Sequence, residues 1–124
     1  SYPVQAADWI NENLDVSKMK LYNEYNFGSY LIYKNIPVFV DSRCDLYMPE
    51  FNENVFVFSD FLNISSMNFK NVEEKIEKYG FTHFITSSGS RFKLYLDDHP
   101  EKYKAIYPTG DIVDKNFTIY ERIK

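Results

Sequence analysis

Apolar positions along this chain follow two periods, and the switches between them mark its elements. Val4, Ala7, Ile10 and Leu14 recur at helical spacing with Trp9 beside them, which predicts a helix over Pro3–Leu14. Asn11, Glu12 and Asn13 form its wet face, and Pro3 suits a first turn. Alternation then takes over: Met19, Leu21 and Asn23 against Lys20 and Tyr22 predict a strand over Met19–Glu24. Gly28 permits a sharp turn into a short helix, Ser29–Lys34. Asn35-Ile36-Pro37 stops that helix, because the residue before a proline avoids helical geometry. Val38–Asp41 is short and β-branched or aromatic, as a buried parallel strand should be.

The pattern loosens from Asp45 to Asn71. Tyr47-Met48-Pro49 predicts a turn, Asn54–Leu62 a helix with Val55, Phe58 and Leu62 inward, and Ser65-Ser66-Met67-Asn68 a loop. Asn71 is placed to cap an amphipathic helix over Val72–Tyr79, which Gly80 ends. Glu73, Glu74, Lys75, Glu77 and Lys78 give it a solvated face with opposite charges at helical spacing. Phe81–Thr86 is a third strand, Ser87-Ser88-Gly89-Ser90 a turn into a helix over Arg91–Asp97, and Tyr103–Tyr107 and Phe117–Arg122 the last strands. A short polar connection joins these two, so they should form an antiparallel hairpin. About a dozen residues separate the first two strands, enough for a crossover and hence for parallel pairing. The expected fold is α/β: a single three-layer domain whose mostly parallel sheet has about five strands and a C-terminal antiparallel hairpin. The strand near Leu21 should lie between those near Phe39 and Phe84, all parallel.

Composition narrows the function classes. At 124 residues the chain is one domain, and 44% hydrophobic with 26% charged residues suits a globular core. A net charge of −4 without any basic run disfavours a nucleic-acid partner. The single cysteine, Cys44, has no internal disulfide partner and reads as a small buried thiol. No apolar run approaches a membrane span and no signal peptide is present, yet the chain opens on Ser1, as a processed form or an excised domain would. The 11 Tyr, 11 Phe and one Trp can stack on sugars or sit at a membrane interface, but rings building a core explain them more simply.

Candidate chemistry gathers at one place. In a parallel sheet the loops after the strands lie together, so Tyr25–Gly28, Asp41–Arg43 and Ser87–Ser90 should share a rim. Glu24, Asp41 and Arg43, with Ser88 and Ser90, are the candidate binding residues there. Arg43 is able to hold a phosphate or carboxylate bidentately, or simply to pair with Asp41 or Glu24 and hold strand ends in register. The serine-rich turn resembles an anion cradle but lacks the lysine and spacing of a phosphate loop; N-capping by Ser88 or Ser90 is the plainer role. Glu24 with Asp41 as a glycosidase pair is disfavoured, since Arg43 would keep both ionised. Cys44 with His83 lacks a third orienting group, and Asp97-Asp98-His99 reads as an exposed acidic helix end. No zinc spacing, cofactor motif or catalytic set appears.

Asn23-Glu24-Tyr25-Asn26-Phe27-Gly28-Ser29-Tyr30-Leu31 and Val38-Phe39-Val40-Asp41-Ser42-Arg43 resemble paired segments, N-[DE]-[YW]-x-[WF]-G-G-Y-L and V-F-[IV]-D-G-R, of one family. It is the soluble C-terminal domain of polytopic membrane glycosyltransferases, the mannosyltransferase-like proteins that use lipid-linked sugars. The likeness extends more loosely to the Pro3-Val4 helix, to Lys78–Ile85 and to Tyr120-Glu121-Arg122; Ser29 and Ser42 replace glycines. The resemblance implies a non-catalytic extracytoplasmic domain, excised from the C-terminal end of a larger membrane protein. Its partners would be the membrane-embedded part of the same chain and a lipid-linked sugar donor or acceptor. The residues alone leave open a stand-alone small-ligand or anion-binding module at the rim, and less readily a small hydrolase.

Thermal melts separate the two roles of Arg43. The structural role is expected, in which Arg43→Ala strands a buried carboxylate and costs about 3 kcal/mol. A change within about 0.5 kcal/mol would instead mark a solvent-facing ligand group.

Overall fold

The computed structural model describes residues 2–24, 27–38 and 72–124. Val38 is buried there, but the rest of the expected strand Val38–Asp41, the helix Asn54–Leu62, the Asn71 cap, and Tyr25, Asp41, Arg43 and Cys44 lie outside the described residues. Helix α1 spans Val4–Asn13, strand β1 Leu21–Tyr22, α2 Gly28–Tyr33 and α3 Val72–Tyr79. They are followed by β2 at His83–Ser87, α4 at Arg91–Asp97, β3 at Tyr103–Tyr107 and β4 at Phe117–Arg122. Among the described residues no helix is long and apolar enough to cross a membrane.

Among the described residues the sheet has four strands, in the order β1-β2-β4-β3. It is mixed, not mostly parallel: β1 pairs parallel with β2, while β4 pairs antiparallel with both β2 and β3. The expected hairpin and the parallel Leu21–Phe84 neighbourhood are both present. What differs is where the hairpin goes. The crossover through α4 returns β3 in the same direction as β2, as a connecting helix requires, but one position away. β4 fills that gap, and its short connection from β3 forces it to run the other way. β1 is also shorter than the expected Met19–Glu24, and β2 starts at His83 instead of Phe81. At their shared end the backbone bonds leave the ladder, with Thr82 and His83 N–H both donating to the Lys20 carbonyl.

Register sorts the side chains. Tyr22, Phe84 and Tyr120 stand in line across three strands, as do Ile85 and Ile119 one step on. Adjacent strand residues point to opposite faces. Tyr22, Phe84 and Tyr120 therefore join Val72, Ile76 and Tyr79 of α3 and Phe92 and Leu96 of α4. Leu21, Ile85 and Ile119 join Ala6, Ala7 and Ile10 of α1 and Leu31 of α2. Tyr103 and Tyr107 have the spacing of one face, yet they enter different clusters. A bulge between Ala105 and Tyr107 inserts one residue and turns Tyr107 over to pack against Trp9, the rings tilted with centres 5.4 Å apart.

Helices α3 and α2 end in the same way. Gly80, at φ +64°, donates to Glu77 O while Phe81 N–H reaches back to Ile76 O. Asn35, at φ +62°, donates to Ile32 O while Ile36 N–H reaches Leu31 O at 2.9 Å. Each is a left-handed cap sealed by an apolar pair, Ile76–Phe81 or Leu31–Ile36. α2 is therefore stopped by Asn35 adopting a conformation usually left to glycine, and not only by the proline that follows.

Phe84 lies at the centre of the ring cluster, with centroids 5.3 Å from Tyr103 and 5.9 Å from both Phe81 and Phe92. Phe84→Ala should cost about 3–5 kcal/mol in chemical denaturation. Val113→Ala, at a side chain 71% exposed, should stay within about 0.5 kcal/mol. Equal losses for the two variants would show that the ring cluster does not carry the core.

Candidate strand-end rim

β1 and β2 run parallel, so their carboxyl ends lie side by side, and the structure brings Glu24 and the Ser87–Ser90 turn together there. Glu24 is engaged by the backbone there. Its Oε1 accepts the Ser87 backbone N–H at 2.5 Å, which ties the end of β1 to the end of β2. The Glu24 carbonyl accepts the side-chain Nδ2 of the buried Asn23 at 3.0 Å and, more weakly, the N–H of Phe27. This carboxylate replaces the ladder where two strands diverge.

The serine turn is likewise consumed by backbone needs. Ser90 Oγ caps α4 by accepting the Lys93 N–H at 3.3 Å, and Ser90 N–H closes on Ser87 O at 3.1 Å. Ser88 N–H donates to Asn116 O at 2.8 Å, linking the turn to the β3–β4 connection. A methyl group placed on Gly89 would meet nothing within 4 Å, so no close approach of backbone to a ligand is built around it. Of the five candidate residues, Glu24, Ser88 and Ser90 therefore stand on one rim, the first and last in structural roles. Asp41 and Arg43 lie outside the described residues.

The other constellations separate. His83 stands at the opposite end of β2 from the rim, its Nδ1 2.8 Å from Thr82 Oγ1 and its Nε2 3.7 Å from Glu121 Oε2 across the sheet. Burial pushes its imidazole pKa down, and Glu121 only partly opposes this. Asp97 accepts from Tyr120 OH at 2.5 Å and from Lys93 Nζ at 2.8 Å, so it is an anchor and not part of an open cation site. Among the described residues no group of three His, Cys, Asp or Glu side chains is placed to hold a metal ion.

Among the described residues, a densely connected ionisable group is one assigned by its spacing to a solvated face. Glu73 of α3 accepts hydrogen bonds from Tyr95 OH and from Tyr103 OH at 2.8 Å, and pairs with Lys102 Nζ at 3.3 Å. One turn on, Glu77 takes Arg122 of β4. Partial burial works to raise the Glu73 pKa, but the donors from Tyr95, Tyr103 and Lys102 outweigh it and hold the carboxyl below its ordinary value. An ionised carboxylate with its acceptor sites filled is neither a general acid nor a free base; it clasps α3 to α4 and β3. The signal available in the sequence was the tyrosine surplus, since half-buried phenols near a helix need acceptors from it.

No family model, no curated protein and no solved structure matches the chain.

Among the described residues two groups with lowered pKa, His83 and Glu73, bear on the acid side of the stability curve. The His83 imidazole binds its proton less readily folded than unfolded, so its contribution is full above pH 6.5 and is lost as the pH falls through its lower folded value. Glu73 follows the same sign in a lower window, full above pH 4.5 and lost below it. Melting temperature should therefore fall in two stages on acidification. His83→Gln should remove the first stage and Glu73→Gln the second, the latter also lowering stability at pH 7. A Glu73→Gln variant with the parent's melting temperature at pH 7 would refute the clasp.

Proposed function

We propose that the chain is a non-catalytic, extracytoplasmic domain of a membrane glycosyltransferase-like protein, assisting recognition of an acceptor or a lipid-linked sugar donor. One observation carries the non-catalytic part. Glu24, the described carboxylate of the paired motif segments, is engaged by a backbone N–H and holds two strands together. A carboxylate so placed is ill suited to proton transfer, because releasing it would undo the strand ends. The motif resemblance supplies the glycosyltransferase part, and the placement of β1 beside β2 supports the rim expected from parallel pairing. The fuller architecture, five strands between two helical layers, belongs to the same reading. Buried clusters joined by α1 and α2 on one side and by α3 and α4 on the other favour it.

Two measurements test the proposal. The purified chain, offered a polyprenyl-phosphate-linked hexose and candidate acceptors, should show no sugar transfer and no hydrolysis above a heat-inactivated control. An epitope inserted directly after Lys124 in the protein as the cell makes it should be reached by membrane-impermeant reagents on intact cells. Turnover that disappears in Glu24→Gln would overturn the non-catalytic role, and an epitope reached only after lysis would overturn the location.

A further inference from the structure

Asn116-Phe117-Thr118 has the form Asn-x-Ser/Thr with no proline between, the acceptor pattern for attachment of a glycan to a side-chain amide. Such a triplet arises easily by chance, so its placement decides whether it matters. Asn116 is exposed, in the connection between β3 and β4 and immediately before the first residue of β4. Phe117 is buried, packed edge-on against Phe27 with ring centres 5.4 Å apart. Within β4 neighbouring side chains point to opposite faces, so burying Phe117 turns Thr118 away from that core, while Asn116 stands on a bend just before the strand. The main chain at Asn116 is already committed. Its N–H donates to Asp114 Oδ1 at 2.9 Å and its carbonyl accepts Ser88 N–H at 2.8 Å. Its carboxamide makes no hydrogen bond within the described residues, so a substituent there would disturb neither the loop nor the core. The second triplet of this form, Asn63-Ile64-Ser65, lies outside the described residues.

We propose that Asn116 is an N-glycosylation acceptor, taking an oligosaccharide from a polyprenyl-diphosphate donor through a membrane-bound transferase. Asn116 Nδ2 attacks the anomeric carbon of the first sugar. The new bond joins that nitrogen to carbon, the bond between the sugar carbon and the diphosphate oxygen breaks, and polyprenyl diphosphate leaves. A base of the transferase takes one amide proton, and nothing is oxidised or reduced. The attached glycan would stand beside the Ser87–Ser90 turn, to which Asn116 is hydrogen-bonded. In the native cell the modification rests on the extracytoplasmic reading above, because the donor and transferase work on that side of the membrane.

The test imposes the compartment so that the two claims fail separately. The chain is secreted behind a signal peptide from a eukaryotic cell that glycosylates. Peptide mapping after amidase release in heavy-oxygen water then reports each asparagine converted to labelled aspartate. The expected result is label at Asn116, with at least a tenfold loss of that signal in Asn116→Gln and in Thr118→Val, the second of which keeps a strand-forming residue in β4. Unlabelled Asn116 in folded, secreted protein would overturn the proposal, as would undiminished label in Thr118→Val. Neither result bears on location, which the epitope experiment decides by itself.

Discussion

Burying a tyrosine ring commits the fold to finding a partner for its hydroxyl, and this protein buries several. Leaving such a group unpaired costs about 1–3 kcal/mol, a large share of any domain's net stability. The solution repeats: Tyr103 reaches Glu73, Tyr120 reaches Asp97, and Tyr107 reaches Asp114 at 2.6 Å. In every case burial raises the phenol pKa and the carboxylate raises it further, so the proton stays on the tyrosine and the bond has one direction. The three carboxylates sit on α3, on α4 and in the β3–β4 connection. The rings fill the core and their hydroxyls fasten the surrounding elements to β3 and β4.

That arrangement depends on where β4 goes. Inserted between β2 and β3, it places Tyr120 in line with Phe84 and Tyr22 across the sheet, within reach of Asp97 at the end of α4. The bulge in β3 then divides its two tyrosines. Tyr103 goes to the α3 and α4 side, where Glu73 waits, and Tyr107 to the α1 side against Trp9. Asp114 serves both Tyr107 and the start of β4, accepting Phe117 N–H at 3.1 Å as well as the phenol. Hairpin geometry and phenol satisfaction are thus one problem with one answer.

The rim follows from the same economy of polar groups. Strands that diverge and a helix that starts beside them leave backbone donors unmet, and Glu24, Ser90 and the Asn116 carbonyl meet them. Side chains engaged in this way position a loop cluster without supplying reactive groups to it. The proposed function therefore rests on recognition and assigns no chemistry to these side chains.

Local sequence determined much of this protein. Helical spacing with a glycine stop placed α3, the serine turn marked the start of α4, and a short polar link gave β3 and β4 their antiparallel pairing, because those signals depend only on neighbours in the chain. Gly80 announced its left-handed cap for the same reason, as the residue that adopts that backbone without cost. Tertiary structure decided the rest. Nothing near Phe117–Arg122 says that β4 should part β2 from β3, since that choice is made by packing between residues far apart in sequence. The one-residue bulge that turns Tyr107 over leaves no mark on the apolar pattern, and Asn35 shows its cap only once Ile36 has packed on Leu31. Glu73 looks like any solvated helix carboxylate until Tyr95, Tyr103 and Lys102 arrive from other elements. Glu24 was visible as a strand-end carboxylate, but only the strand laid beside it by the fold, with Ser87 at its end, made it a backbone acceptor.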